Sequence, residues 1–262
     1  MKIMIVVTHL LGTGHLARAL NLGRAFAAAG DRVQVVSGGG PVPHFDTSGS
    51  ELIQLPPVQS NGTAFTQLLT PDGPADTAYL AQRAVALREA FDTFAPDVLM
   101  TELFPFGRRI LRQEYFDLLR HARTLKTPPL ILGSIRDILA PPSKPSKAAF
   151  ADETVRDYYD AVLVHSDPAL TTLDLSWPVS DTLAPFLRYT GFVAPPAATP
   201  HPMGLGAGEV LVSAGGGDLG DEVYETALAA ADGDSRNWRL LVGAALRMRP
   251  RSRNGKGARP PM

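Results

Sequence analysis

At 262 residues the chain is long enough for one large or two modest domains around a sizeable core. Hydrophobic residues make up 45% and charged residues 19%, the balance of a globular chain rather than a disordered one, and the net charge of −1 gives no global pull toward nucleic acid. The absence of cysteine excludes disulfides, thiolate metal sites and cysteine nucleophiles, and suits the cytosol. The apolar start, MKIMIVVTHLLGTGH, has a single Lys2 and lacks a small-residue cleavage site, which argues against a signal peptide. No apolar run approaches the roughly 18 residues that span a bilayer.

Residues 3–7 form a continuous apolar run, the pattern of a buried parallel strand. The turn Gly12-Thr13-Gly14-His15 follows, then a helix with Leu16, Leu20, Gly23 and Ala27 on its core face and Arg18, Asn21 and Arg24 elsewhere, stopped by Gly30. Residues 32–36 are a second strand ending in Ser37-Gly38-Gly39-Gly40-Pro41, and residues 51–55 a short third one. Residues 56–76, rich in Pro, Gly, Asn and Thr, read as a long loop. Residues 75–94 read as a helix with Leu80, Ala84, Leu87, Phe91 and Phe94 inward, ended by Pro96. Next come a strand (97–101), the loop that begins at Glu102, and a helix (108–125) with Leu111, Tyr115, Leu118 and Ala122 inward. A strand (129–133), a proline-rich stretch (140–147), a helix (148–159) and strands at 161–165 and 186–190 complete an α/β domain of residues 1–193.

Residues 194–208 are a linker of Pro, Ala and Gly. The opening theme then returns over residues 209–243: a strand (209–213), the glycine turn Ala214-Gly215-Gly216-Gly217, a helix (219–231) and a strand (238–242). This reads as the first βαβ unit of a second domain. Residues 244–262 read as a disordered basic tail, with Arg247, Arg249, Arg251, Arg253, Lys256 and Arg259 and no acid, whereas residues 1–246 carry 19 basic against 26 acidic side chains. Such a tail can meet nucleic acid or an anionic membrane surface, but it has no aromatic residue and no helical period, so an incidental tail is the simpler reading.

Strand, glycine turn and helix together make an anion-binding element, because bare backbone lets a ligand close to the N–H groups at the helix start. Gly12-x-Gly14-x-x-Ala17 also fits the dinucleotide fingerprint formally, yet the second strand ends Val35-Val36-Ser37-Gly38 without the acid that would hold a ribose. A tight turn with no ligand is the plain alternative. His15 is poorly placed to serve the core, and a general base or a donor to a substrate hydroxyl suits it. Glu102, at a strand end on the rim of an open sheet, is a second candidate base, or else a salt-bridge partner of Arg108 or Arg109. Arg136 and Asp137 occupy the same rim and read as a local ion pair. His165, Ser166 and Asp167, consecutive on the rim, cannot face one another as a hydrolase triad. His44, His121 and His201 have no metal-ligand spacing, and no metal site is expected.

The segment Thr8-His9-Leu10-Leu11-Gly12-Thr13-Gly14-His15, followed by Arg18-Ala19, resembles the opening of MurG-like glycosyltransferases of the GT-B fold, family 28 and its predicted relatives. The blocks Thr101-Glu102-Leu103-Phe104-Pro105-Phe106-Gly107-Arg108-Arg109, Gly133-Ser134-Ile135-Arg136-Asp137-Ile138-Leu139 and Val212-Ser213-Ala214-Gly215-Gly216-Gly217 resemble the same group in the same order. The resemblance implies two Rossmann-like halves, the N-terminal one holding an acceptor and the C-terminal one a nucleotide-sugar donor. Gly12, Thr13, Gly14, Arg18 and Arg136 would line the acceptor cleft. His15 and Glu102 would be catalytic, and Gly215, Gly216 and Gly217 would present N–H groups to the donor diphosphate.

It further implies an inverting transfer without a bound metal or cofactor, the nucleotide sugar being a substrate. The acceptor would be a small molecule or lipid-linked, the location the cytoplasm or its membrane face, and nucleic acid no partner. The alternatives are a non-catalytic Rossmann-like binding domain and a dinucleotide-dependent oxidoreductase. Because a GT-B second domain is about as large as the first, residues 209–243 imply a C-terminally truncated enzyme, weak or inactive alone, with an uncovered apolar sheet edge.

Overall fold

The computed structural model describes residues 1–60, 65–214 and 221–242. The chain divides into two compact units, the first Met1–Ala198 and the second starting at Thr199. In chain order the first unit contains β1 (Lys2–Val7), α1 (Gly14–Ala28), β2 (Arg32–Ser37), β3 (Ser50–Gln54), β4 (Gln59–Ser60), β5 (Leu68–Thr70), β6 (Gly73–Pro74) and α2 (Thr77–Phe94). It continues with β7 (Val98–Glu102), α3 (Arg112–Thr124), β8 (Leu130–Arg136), α4 (Pro145–Tyr158), β9 (Ala161–His165) and β10 (Leu187–Tyr189).

Seven strands form one sheet in the order β10-β9-β8-β7-β1-β2-β3, all parallel. The chain runs outward from β1 to β3, then crosses back to lay β7 against the other side of β1. That reversal is a topological switch point, and in open α/β sheets ligands settle at the carboxyl ends of the two strands that flank it. The expected Rossmann-like α/β architecture is therefore present.

β1 shows why the sheet is covered on both faces. Ile3, Ile5 and Val7 join a core with Leu16, Leu20 and Val35, while Met4 and Val6 join a different core with Leu87, Phe91 and Leu118. A strand's side chains alternate between faces, so a run without polar residues must be buried on both sides. On α1, Leu16, Ala19, Leu20 and Gly23 are buried, and Ala27 is half-buried. α2 starts where the Asp76 carboxylate accepts from the Tyr79 backbone N–H at 2.7 Å, the usual device for an orphan donor of a first turn.

Several elements differ from the sequence reading. Residues 56–76, whose composition predicts one long loop, contain the antiparallel sheet β4-β5-β6. Its hairpin turns at Pro71-Asp72-Gly73, where Thr70 Oγ1 donates to Gly73 O at 3.1 Å. Strands of two or three residues are too short to display a period of two, so local pattern does not reveal them. α2 buries Arg83 fully, whereas Leu80 and Ala84, expected inward, are half-buried. The helix expected over 108–125 begins as a 3-10 turn, Arg109–Leu111, and becomes α-helical at Arg112. β8 extends to Arg136, because Ser134 and Arg136 pair with Leu163 and His165 of β9.

In the second unit β11 (Val210–Ser213) and β12 (Trp238–Leu241) pair in parallel, connected through α5 (Asp221–Ala231). The Tyr224 hydroxyl accepts from the Ala214 N–H at 3.2 Å and donates to Leu241 O. Leu211 and Leu241 are exposed. The expected glycine turn Gly215, Gly216 and Gly217 and the basic tail 244–262 lie outside the described residues. Among those described, no helix is long and apolar enough to cross a membrane.

Candidate functional site

Glu102 is the last residue of β7, at the carboxyl edge of the switch point, and is 1% exposed. Across from it, α1 starts after the turn that leaves β1, and its first turns present His15 and Arg18. His15 Nδ1 lies 3.0 Å from Glu102 Oε1 and 3.2 Å from Arg18 Nη2; because an ionised carboxylate only accepts, Nδ1 carries the proton toward Glu102, and Arg18 donates to the same oxygen. The other oxygen, Oε2, accepts from Ser134 Oγ at 2.6 Å, since Glu102 and Ser134 are register partners on β7 and β8. Ser134 Oγ lies 2.9 Å from His165 Nε2, and His165 Nδ1 lies 2.8 Å from Thr190 Oγ1. With the serine proton committed to the carboxylate, His165 Nε2–H donates to Ser134 and Thr190 donates to Nδ1. A chain of donors thus runs from Thr190, just past β10, through β9 and β8 to one carboxylate.

Glu102 is therefore paired with Arg18 and His15, and the pairing with Arg108 or Arg109 weighed from sequence is not formed. Arg108 has a left-handed backbone (φ 59°) and donates through Nε to Thr8 O at 2.5 Å. Arg109 donates to Phe106 O at 2.8 Å. Arg136 and Asp137 do form their expected ion pair, at 3.0 Å.

Burial pushes the Glu102 carboxyl up, but the hydrogen bond from His15 and the charge of Arg18 outweigh it and hold the group down at about 2. Burial lowers His15 below the usual imidazole value of 6.5 against the opposing pull of Glu102, so the ring is neutral near neutral pH. With Nδ1–H given to Glu102, Nε2 is left as the basic nitrogen. Burial also lowers His165, from 6.5 to about 4.

These shifts set a pH dependence. His165 and His15 are held neutral, so below pH 6.5 the unfolded chain takes up protons that the folded one refuses. Stability is full above that pH and declines as pH falls toward 4. Glu102 adds its own loss, between its ordinary 4.5 and about 2. His165 alone is worth about 3 kcal/mol across its window, on the order of 1.36 kcal/mol per pKa unit. Urea midpoints measured from pH 8 to 4 should fall with acid, and fall less in His165→Gln. A midpoint indifferent to pH over that range would refute the assignment.

Around this pair the turn is bare. A Cβ at Gly12 or Gly14 would meet nothing within 4 Å. Thr13 heads α1 with no side-chain cap and no acid in the first turn, so the positive end of the helix stays uncovered. A 280 Å³ pocket is lined by Gly12, Gly14, His15, Arg18, Arg108 and Arg136. The structure thus brings together every cleft residue expected from sequence in the first unit except Thr13, which stands between two lining glycines. A larger cavity of 790 Å³ shares Phe65 and Arg108 with it. Among the described residues no group of three or more His, Asp or Glu is placed to hold a metal ion.

Sequence reasoning missed the parts behind the site. Arg83, from α2, forks onto Glu114 of α3 through Nε and one terminal nitrogen at 3.0 and 2.9 Å, and its other terminal nitrogen donates to Gly38 O at 2.8 Å and to Pro56 O. Gly38 is glycine because a Cβ there would lie 2.5 Å from the Arg83 guanidinium and 2.4 Å from Thr8 Oγ1. Ser134 was legible only as a hydroxyl at a strand end. His165 turns to Ser134, while the neighbouring Ser166 hydroxyl donates to Thr171 O at 2.6 Å.

No protein-family model matches the chain, and no curated protein matches it. In fold it is similar to a UDP-glucosyltransferase from Polygonum tinctorium capable of glucosylating indoxyl, with a TM-score of 0.53 and 11% identity over 91% of this chain and 64% of that one. CalG4, the calicheamicin glycosyltransferase, gives 0.47 and 15% identity with the same two coverages. A ugt transferase from Siraitia grosvenorii, solved in complex with UDP, gives 0.46 and 12%, again covering 64% of that chain. This chain therefore spans a little under two thirds of the length of these structures. The architecture shared with the first of them is the Rossmann-like α/β fold of GT-B glycosyltransferase domains.

Proposed function

We propose that this chain belongs to an enzyme that moves a sugar from a nucleotide-sugar donor to an acceptor hydroxyl, and that Met1–Ala198 is its acceptor-side half. The observation that carries the reading is the neutral His15 anchored on a buried carboxylate, at the switch point, beside open space. In a single displacement His15 Nε2 takes the hydroxyl proton while the acceptor oxygen bonds to the anomeric carbon. The anomeric C–O bond to the diphosphate breaks, and the nucleotide leaves with that electron pair. The attack inverts the anomeric centre. Glu102, kept ionised by Arg18 and Ser134, steadies the imidazolium that forms.

In this reading Gly215, Gly216 and Gly217, which lie outside the described residues, are the residues expected to meet the donor diphosphate, with no metal required. The narrower MurG-like assignment rests on the motif blocks alone. β2 ends at Ser37 and is followed by Gly38, with no acid at either position, which weighs against dinucleotide-dependent redox chemistry.

The test is turnover by the full chain. Nucleotide sugars of differing base and sugar are offered with phenolic acceptors, with and without chelator, and products are read by mass spectrometry and anomeric NMR. An inverted glycoside that survives the chelator supports the proposal. Absence of any glycoside from acceptors that the chain demonstrably binds would overturn it.

A further inference from the structure

The 790 Å³ cavity says more about its occupant than that it accepts a sugar. We propose that it selects an amphipathic anion: a drug-sized apolar body carrying a carboxylate or phosphate. The inference rests on reading the cavity as the acceptor's seat, and it adds a charge requirement that the reading does not contain.

The volume lies within the range of pockets that enclose drug-sized ligands, about 300–1,000 Å³. Leu10, Leu103, Phe106, Ile110 and Leu139 give it apolar walls. Its four charged lining residues are all cations, Arg108, Arg109, Arg112 and Lys147. Most arginines elsewhere in the unit are matched to acids, as Arg83 is to Glu114, Arg88 to Asp92, Arg123 to Asp160 and Arg156 to Asp157, while Arg188 binds backbone carbonyls. Among the described residues none of the four cavity cations has an ion pair.

Such hydrogen bonds as they make go to neutral atoms. Arg108 donates to Thr8 O, Arg109 to Phe106 O and Lys147 to Ser143 Oγ. Burial depresses Arg108 and Arg109 below the ordinary arginine value; for Arg108 the charge of Glu102 opposes the loss of water without cancelling it, and for Arg109 nothing opposes it. An anion in the cavity supplies a counter-charge, and a guanidinium fork matches both carboxylate and phosphate oxygens. A neutral ligand of the same shape leaves the cations as they are, so the site discriminates by charge. Arg108 also lines the His15 pocket, which links the anion's seat to the basic nitrogen.

The experiment measures binding without any donor, so it is independent of turnover. The full chain is titrated with naphthol, hydroxynaphthoate and naphthyl phosphate, following ligand fluorescence at low salt. At least one anion should bind about tenfold tighter than naphthol, a difference of about 1.4 kcal/mol. The tighter of the two anions identifies the head group. The preference should shrink at high salt and in R112Q/K147Q, while naphthol affinity and melting temperature stay put. Equal affinities, no binding of either anion, or an anion preference untouched in the double variant would overturn the inference. Anion preference without any glycoside formed would instead leave it standing and sink the catalytic proposal.

Discussion

His15→Ala will lower the sugar-transfer rate roughly 10²–10⁴-fold, the contribution of a well-placed general base. The loss should fall on turnover rather than on folding or acceptor binding. Removing the imidazole leaves Glu102 with Arg18 and Ser134, so the buried carboxylate keeps a cation and a hydrogen bond. The urea midpoint should therefore move little and the affinity for acceptor probes not at all. In the unsubstituted protein the rate should rise with pH through the depressed value of His15 and level off above 6.5, because only the neutral ring accepts a proton. A variant that keeps a tenth of the rate, or loses rate and fold together, removes His15 from the chemistry.

Glu114→Ala will cost the first unit about 3–5 kcal/mol, as breaking a buried ion pair from one side does. Arg83 is 0% and Glu114 5% exposed. Losing the carboxylate strands a guanidinium whose remaining partners are Gly38 O, Pro56 O and, at 3.5 Å, Thr8 Oγ1. The same contacts tie α2 and α3 to the chain segments leaving β1 and β2, so the rim of the site should loosen with the fold. Domains have only about 5–15 kcal/mol in all, so the transition should move far down the urea axis. Replacing both partners by leucine should recover much of the loss, because an apolar pair strands no charge. An E114A midpoint within about 1 kcal/mol of the parent would show that Arg83 finds other compensation, since a typical surface substitution costs about that little.

The candidate site was legible as a set of addresses. His15 follows a strand and opens a helix, and Glu102 ends a strand. Both positions follow from apolar runs and glycine or proline punctuation, which are local signals. Their partnership was not legible, for they are 87 positions apart. Glu102 reads equally well beside Arg108, its neighbour in sequence, and only the strand order sends it to Arg18. The basic lining of the large cavity was invisible for the same reason. Arg109 and Lys147 come from different elements and are scattered among ordinary surface charges in the sequence.

By itself the sequence determined the alternation of strands and helices, the both-face burial of β1, the helix stops and the bare turn at Gly12 and Gly14. Periodicity and backbone freedom are properties of neighbouring residues, and they act before any long-range contact exists. Tertiary structure decided which charges meet. It laid β7 against β1, closed the donor chain from Thr190 to Glu102, folded the two- and three-residue strands, and made Arg83 a core residue. A charge is buried only where a partner is already in place, and here that partner lies 31 residues away on another helix. No local pattern carries that condition, because it is the packing of distant elements that removes the water.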